Sequence, residues 1–153
     1  MIETLDSLLR KHPFFKGMSD QQLKTIEGCA KNARFSEGKT IFVEGDPADA
    51  FYFIEEGSVS IELTIPDRPI SSVHKVGAGE ILGWSWVSPP YHWHFNARAL
   101  KPVKAIVFDA RCLRAKLDED HQLGYELLKR FAAVIVQRLD ATQVQLLKMK
   151  KET

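Results

Sequence analysis

The residues able to do chemistry crowd into one stretch of this chain. WSWVSPPYHWHF, Trp84 to Phe95, holds all three tryptophans, one of the three tyrosines and two of the five histidines. Rings at that density can line a pocket for an uncharged or aromatic ligand, with a histidine as polar handle. They can equally fill the pocket themselves. His92 and His94 stand two residues apart, so on a strand both face one side. Such a pair could hold a metal, but the site would need a third and usually a fourth ligand, with His74 and Glu80 as candidates. Catalytic signatures are missing: there is no Gly-x-Ser-x-Gly and no P-loop. Ser85 and Ser88 read as ordinary loop serines, and Glu55 and Glu56, just ahead of a turn, as solvated carboxylates.

The elements that must position these residues follow from periodicity. Residues 3–11 read as a short helix with Ile2, Leu5, Leu8 and Leu9 on one face, stopped by Pro13. Ser19 with Gln22 has capping-box spacing and starts a helix to about Lys31, with Leu23, Ile26 and Ala30 inward. From Ala33 the pattern changes to period two. Short strands are expected near 40–43, 51–56, 58–64, 70–76, 95–99 and 103–108, punctuated by Gly38, Gly45 and Gly57. That spacing indicates a β-sandwich or barrel. A short helix over 110–116 and a long one from about Gln122 to Lys148 complete the chain.

The long helix carries two apolar stripes. Leu127, Phe131 and Val134 form one that fades at Arg138, a length suited to packing on the body of the domain. Tyr125, Leu128, Ala132, Ile135, Leu139, Thr142, Leu146 and Met149 form a second, spaced three and four without a break, as in a coiled-coil seam. A seam that outlasts the first stripe implies another partner, and a parallel homodimer through this helix is expected.

The 153 residues suit one domain, and 44% apolar residues with a net charge of +1 describe an ordinary globular chain without the basic excess of a nucleic-acid binder. No apolar run approaches the roughly 20 residues of a membrane span, and the N-terminus lacks a signal-peptide core. Cys29 and Cys112 are the only cysteines. They are expected to be small buried apolar residues and not a disulfide framework, with a reducing cytoplasm as the compartment.

Three ordered blocks resemble the cyclic-nucleotide-binding domain family, the sensor domain of Crp/Fnr-like regulators. GDPADAFYFIEEGSVSIEL, Gly45 to Leu63, resembles its hairpin signature; GAGEILGWSW, Gly77 to Trp86, its phosphate-binding cassette; ARALKPVKAIVFDA, Ala97 to Ala110, its last strands before the helical lid. The resemblance implies a mainly β fold, a jelly-roll (double-stranded β-helix) barrel over 33–109, with N-terminal helices over 1–32 and C-terminal helices over 110–153 in one domain. It implies a ligand inside the barrel, its phosphate on the amides of a cassette helix. Gly79, Glu80, Ile81 and Leu82 occupy the cassette, Glu80 matching a glutamate that accepts from a ribose hydroxyl. Thr142 matches a polar position on the long helix that reaches the base, often across the dimer.

The chain departs from the family in that same pocket. Counting back from Asp109 through Val103 and Ala99 places Trp93 where the family carries its phosphate-pairing arginine, followed by His94. Arg98 lies at an odd offset and should point to the opposite strand face. The cassette is about three residues longer, with Pro89 and Pro90 inserted. An indole cannot neutralise a phosphate, so ordinary cyclic AMP or cyclic GMP binding is not expected. The expected function is a non-enzymatic, dimeric ligand-sensing module acting through a partner protein, without a DNA-reading domain, without a membrane, and with no cofactor identified. A second reading is a cupin-like metalloprotein or enzyme using His92 and His94. A third is a structural module with a filled pocket.

Overall fold

Local signals set the N-terminal elements of the computed structural model, which describes residues 4–151. Thr4 caps α1, Leu5–Lys11, by accepting from the Ser7 amide; Ile2 of the expected apolar face lies outside the described residues. His12 ends α1, and Pro13 opens a single 3₁₀ turn, Pro13–Phe15, because its fixed φ and missing N–H suit a first helical position. Ser19 and Gln22 form the expected capping box at 3.1 and 2.9 Å and start α2, Asp20–Glu27. The helix stops four residues short of Lys31. Ala30 belongs instead to a strand, because residues 30–35 pair in register with residues 103–108, a long-range ladder that local pattern does not reveal.

Eight strands follow: β1 Ala30–Phe35, β2 Thr40–Phe42, β3 Ala50–Glu56, β4 Ser58–Leu63, β5 Ser71–Gly77, β6 Ile81–Leu82, β7 Asn96–Ala99 and β8 Val103–Asp109. They form two four-stranded antiparallel sheets, β1-β8-β3-β6 and β2-β7-β4-β5. β3 and β4 lie in different sheets, joined through Gly57 at φ +104°, where an added Cβ would stand 2.5 Å from the Pro102 carbonyl oxygen. Only glycine fits that crossing. The core draws on both sheets and the helices: Phe51, Ile54, Val59, Ala97, Ile106, Phe108, Leu113, Leu127 and Phe131 are all fully buried.

Asp109 caps α3, Ala110–Glu119, accepting from the Arg111 and Cys112 amides. α4 runs His121–Lys151, about 46 Å at 1.5 Å per residue. Its buried residues, Leu123, Gly124, Leu127 and Phe131, end less than halfway along, and every residue from Leu139 to Lys151 is exposed. Two expectations fail here. Cys29 and Cys112 form a disulfide, with Cα atoms 5.8 Å apart; the fold brings the end of α2 against the start of α3 across 83 residues of sequence. Glu55, expected in solvent, is the bulged residue of β3, and its carboxylate is buried without a hydrogen bond, 3.8 Å from Lys104 Nζ.

Candidate ligand cavity

The cassette is built from turns and not from a helix at Gly-Glu. The Gly79 N–H donates to the Ile54 carbonyl (2.8 Å), and the Ile54 N–H donates to the Glu80 carbonyl (3.0 Å), so the turn is clamped to β3. His12 holds it from the other side. Nδ1 of His12 accepts from the Phe14 amide (3.1 Å), which leaves the proton on Nε2 to donate to the Gly79 carbonyl (2.7 Å). Burial lowers the His12 pKa, only partly offset by that backbone bond, and the neutral ring is the form this geometry uses. After β6, a three-residue 3₁₀ turn, Ser85–Val87, stands where the family's cassette helix was expected.

Trp93 lies at the centre of the aromatic segment. Its indole is buried and stacked on Phe42, with ring centroids 3.8 Å apart and planes within 8°. Its far edge presses on Gly83: an added Cβ there would meet Cη2 at 2.8 Å. Backbone bonds fix the segment as well, with Trp93 N–H donating to the Asp46 carbonyl (3.0 Å) and Gly45 N–H to the Trp93 carbonyl (2.8 Å). Trp86 faces elsewhere, stacked on Phe51 and edge-on to Phe131 in the core.

In front of Trp93 opens a cavity of about 580 Å³, walled by β4, β5, the cassette, the aromatic segment and α4. That volume suits a small organic ligand. Ile61, Val76, Ile81, Leu82, Trp84 and Phe95 supply much of its apolar lining. The charged or titratable side chains on its wall are His74, Glu80, His94 and Arg138. Nη1 of Arg138 stands 2.6 Å from Nδ1 and 2.7 Å from Nε2 of His74. Burial and then the Arg138 charge push the His74 pKa down to about 4.

Of the residues singled out from sequence, Glu80, Ile81, Leu82, Trp93, His94 and Thr142 all reach this wall, whereas Gly79 shapes the turn behind it. Thr142 Oγ1 donates to the Arg138 carbonyl at 2.8 Å. Arg98 points away, paired with the Glu62 carboxylate at 2.7 Å on β4. His92 is in an isolated bridge to Pro47, not a strand, and its Nδ1 lies 2.7 Å from the Pro90 carbonyl oxygen. Among the described residues no group of three His, Cys, Asp or Glu side chains is placed to hold a metal ion, and no helix is long and apolar enough to cross a membrane. Sequence reasoning missed His12 and Arg138 as parts of the site, and named His74 only as a candidate metal ligand beside Glu80. Arg138 had registered only as the point where an apolar stripe faded, yet an arginine inside that stripe was the available signal.

Two antiparallel sheets, a clamped glycine turn and a long C-terminal helix beside the cavity define a domain of the β-roll class. The family model for the cyclic nucleotide-binding domain matches residues 33–120, and the chain belongs to that family. It is similar to the crystal structure of a putative cyclic nucleotide-binding protein from Geobacter metallireducens, with 32% identity and a TM-score of 0.81, over 90% of this chain and 99% of that one. It is 25% identical over 138 residues to the CRP-like cAMP-activated global transcriptional regulator of Mycobacterium tuberculosis. That match takes in 90% of this chain but spans only 60% of the regulator's length. Cyclic nucleotide-gated ion channel 18 of Arabidopsis thaliana is 40% identical over 119 residues, 71% of this chain and 17% of the channel.

Proposed function

We propose that this chain, residues 1–153 working as one unit, is a non-enzymatic, dimeric ligand-sensing module with an altered phosphate-binding cassette, its output passing to a partner protein. In this reading the two sheets are the walls of one jelly-roll barrel, and the ligand contacts Glu80, Ile81, Leu82, Trp93, His94 and Thr142 above the Gly79 turn. The observation that carries it is Trp93, a buried indole on the cavity wall; counted back along the sequence from Asp109, it falls where the resemblance to the family places the phosphate-pairing arginine. Cyclic AMP is the named activator of the mycobacterial relative. Here the cation that would meet its phosphate is missing from the cassette, and Arg98 is committed to Glu62. The cytoplasm is the proposed compartment, by likeness to regulators of this kind; thiol counting after acid quench of cells tests it, because the Cys29–Cys112 bond would be found reduced there.

Dimerisation is supported by the seam on α4. Tyr125, Leu128, Leu139, Leu146 and Met149 are each 46–64% exposed in the single chain, an apolar row that a second copy of the helix would cover. Replacing Leu139 and Leu146 with glutamate should turn a dimer into a monomer in light scattering; a wild-type monomer at high micromolar concentration would refute the dimer. A thermal-shift screen including cyclic nucleotides tests sensing itself. A ligand at a hundred times its Kd adds about 2.7 kcal/mol to stability, roughly 5–10 °C for a chain of this size. A structural module with a filled pocket would give no shift with any compound.

A further inference from the structure

Cys29 and Cys112 stand where three elements meet. Cys29 lies between the end of α2 and the start of β1, and Cys112 is the third residue of α3. The backbone holds them together without help from the sulfurs: the Asp109 N–H donates to the Cys29 carbonyl at 2.8 Å, and Ala30 pairs with Phe108 in the β1–β8 ladder. With the S–S bond open, both thiols stay within reach of each other and the bond can re-form. Access is one-sided. Cys29 is 6% exposed, whereas Cys112 is only partly buried, so a thiolate arriving from solvent meets the Cys112 sulfur first.

The bond steadies the start of α3, and Arg114 carries that position to the aromatic segment. Two residues after Cys112, its guanidinium donates to the Trp86 carbonyl (3.0 Å), the Ala48 carbonyl (3.4 Å) and Oδ1 of Asp49 (3.2 Å), and lies over the Tyr91 ring, 4.4 Å from its centroid. The Tyr91 carbonyl accepts in turn from the Ala48 N–H at 2.6 Å. One side chain thus grips the segment at Trp86 and at Tyr91, on either side of Pro89 and Pro90. Trp84 and Ser85, just before the first grip, and Trp93 and His94, just after the second, line the cavity.

We propose that Cys29 and Cys112 are a thiol–disulfide exchange site, entered through Cys112, whose state sets how firmly α3 and Arg114 grip the aromatic segment. A low-molecular-weight thiol supplies the electrons. Its thiolate attacks Sγ of Cys112, the S–S bond breaks, and Sγ of Cys29 leaves as a thiolate and takes a proton from water. A second thiolate attacks the sulfur now joined to Cys112 and releases Cys112 in the same way, leaving two protein thiols and one small disulfide. The same steps in reverse, driven by that small disulfide, close the bond. In the proposed cytoplasmic compartment the pair rests as thiols and closes when the small disulfide accumulates. This action on the segment does not depend on whether the cavity takes a ligand.

All three tryptophans lie in the segment, so acrylamide quenching of intrinsic fluorescence reads it alone. The test uses the full chain in buffers of reduced glutathione and of glutathione disulfide. Reduction should raise the quenching constant about twofold or more with the far-UV circular dichroism unchanged, the mark of a local loosening. Arg114→Gln should give the loose value in both buffers. A chain with both Cys29→Ser and Cys112→Ser should keep the value of the reduced wild type in both. Between the single variants, Cys29→Ser should form a mixed disulfide with glutathione about tenfold faster than Cys112→Ser, read by mass spectrometry, because the accessible thiol reacts first. Quenching indifferent to reduction, a full redox response in Arg114→Gln or in the double variant, or loss of the far-UV signal on reduction overturns the link to the segment. Equal rates for the two single variants overturn entry through Cys112.

Discussion

Substituting Gly83 with alanine probes the most crowded contact of the aromatic segment. Gly83 has φ +93°, and the new Cβ would lie 2.8 and 2.9 Å from Cη2 and Cζ3 of Trp93. The backbone contribution is about 1–2 kcal/mol, the cost of placing an L-residue in that region. The steric contribution is about 1–3 kcal/mol, because the indole is trapped between Gly83 and Phe42 and cannot swing aside without leaving its stack. Together they destabilise the protein by roughly 2–5 kcal/mol, a fall of roughly 5–15 °C in Tm. Calorimetry measures this directly. Adding Trp93→Leu should relieve the steric part, so the double substitution should cost less than the sum of the two single ones, with the backbone part persisting. A Gly83→Ala protein melting within 2 °C of the wild type, or strictly additive costs, would refute the packing described for Trp93.

Reducing the Cys29–Cys112 disulfide, or replacing both cysteines by serine, should cost up to about 4–5 kcal/mol, since the bond closes a loop of 83 residues; a melting temperature indifferent to reductant would count against it. Stability should also fall with acid through His12 and His74, whose folded pKa values lie below 6.5. Above pH 6.5 both rings are neutral, folded or unfolded. As pH drops, the unfolded chain takes up protons that the folded chain refuses, so stability is lost from about 6.5 down toward 4, by about 1–3 kcal/mol after discounting for the half-exposed His74 ring. Denaturant titrations of wild type, His12→Gln and His74→Gln between pH 7 and 4 check this; equal slopes in all three would contradict it.

Much of the fold was legible because its signals are local. The Ser19–Gln22 capping box, the period-two strands and the uninterrupted long helix are set by residues a few positions apart, and each stands within a few residues of where the sequence put it. The failures share one cause, contact between distant segments. α2 ends early because Ala30 pairs with Phe108. Cys29 meets Cys112 only once α2 and α3 are packed. Glu55 goes inward because a bulge in β3 shifts its register against β8. The site divides the same way. The place of the cassette and of Trp93 could be read from order and spacing, although turns and a short 3₁₀ segment stand where a cassette helix was expected; Arg138 and His74 lie 64 residues apart and are brought together only when α4 crosses β5. His12 looked like a spacer before Pro13, and nothing in the sequence said that it would hold the Gly79 carbonyl.

The central claim is that Trp93 has changed what this cavity accepts. Titration calorimetry of the full chain with cyclic AMP and cyclic GMP tests it most directly. Loss of an arginine–phosphate pair removes about 1.5–3 kcal/mol, tenfold or more in affinity, so both nucleotides should bind weakly or without detectable heat. Submicromolar affinity for either would contradict the account.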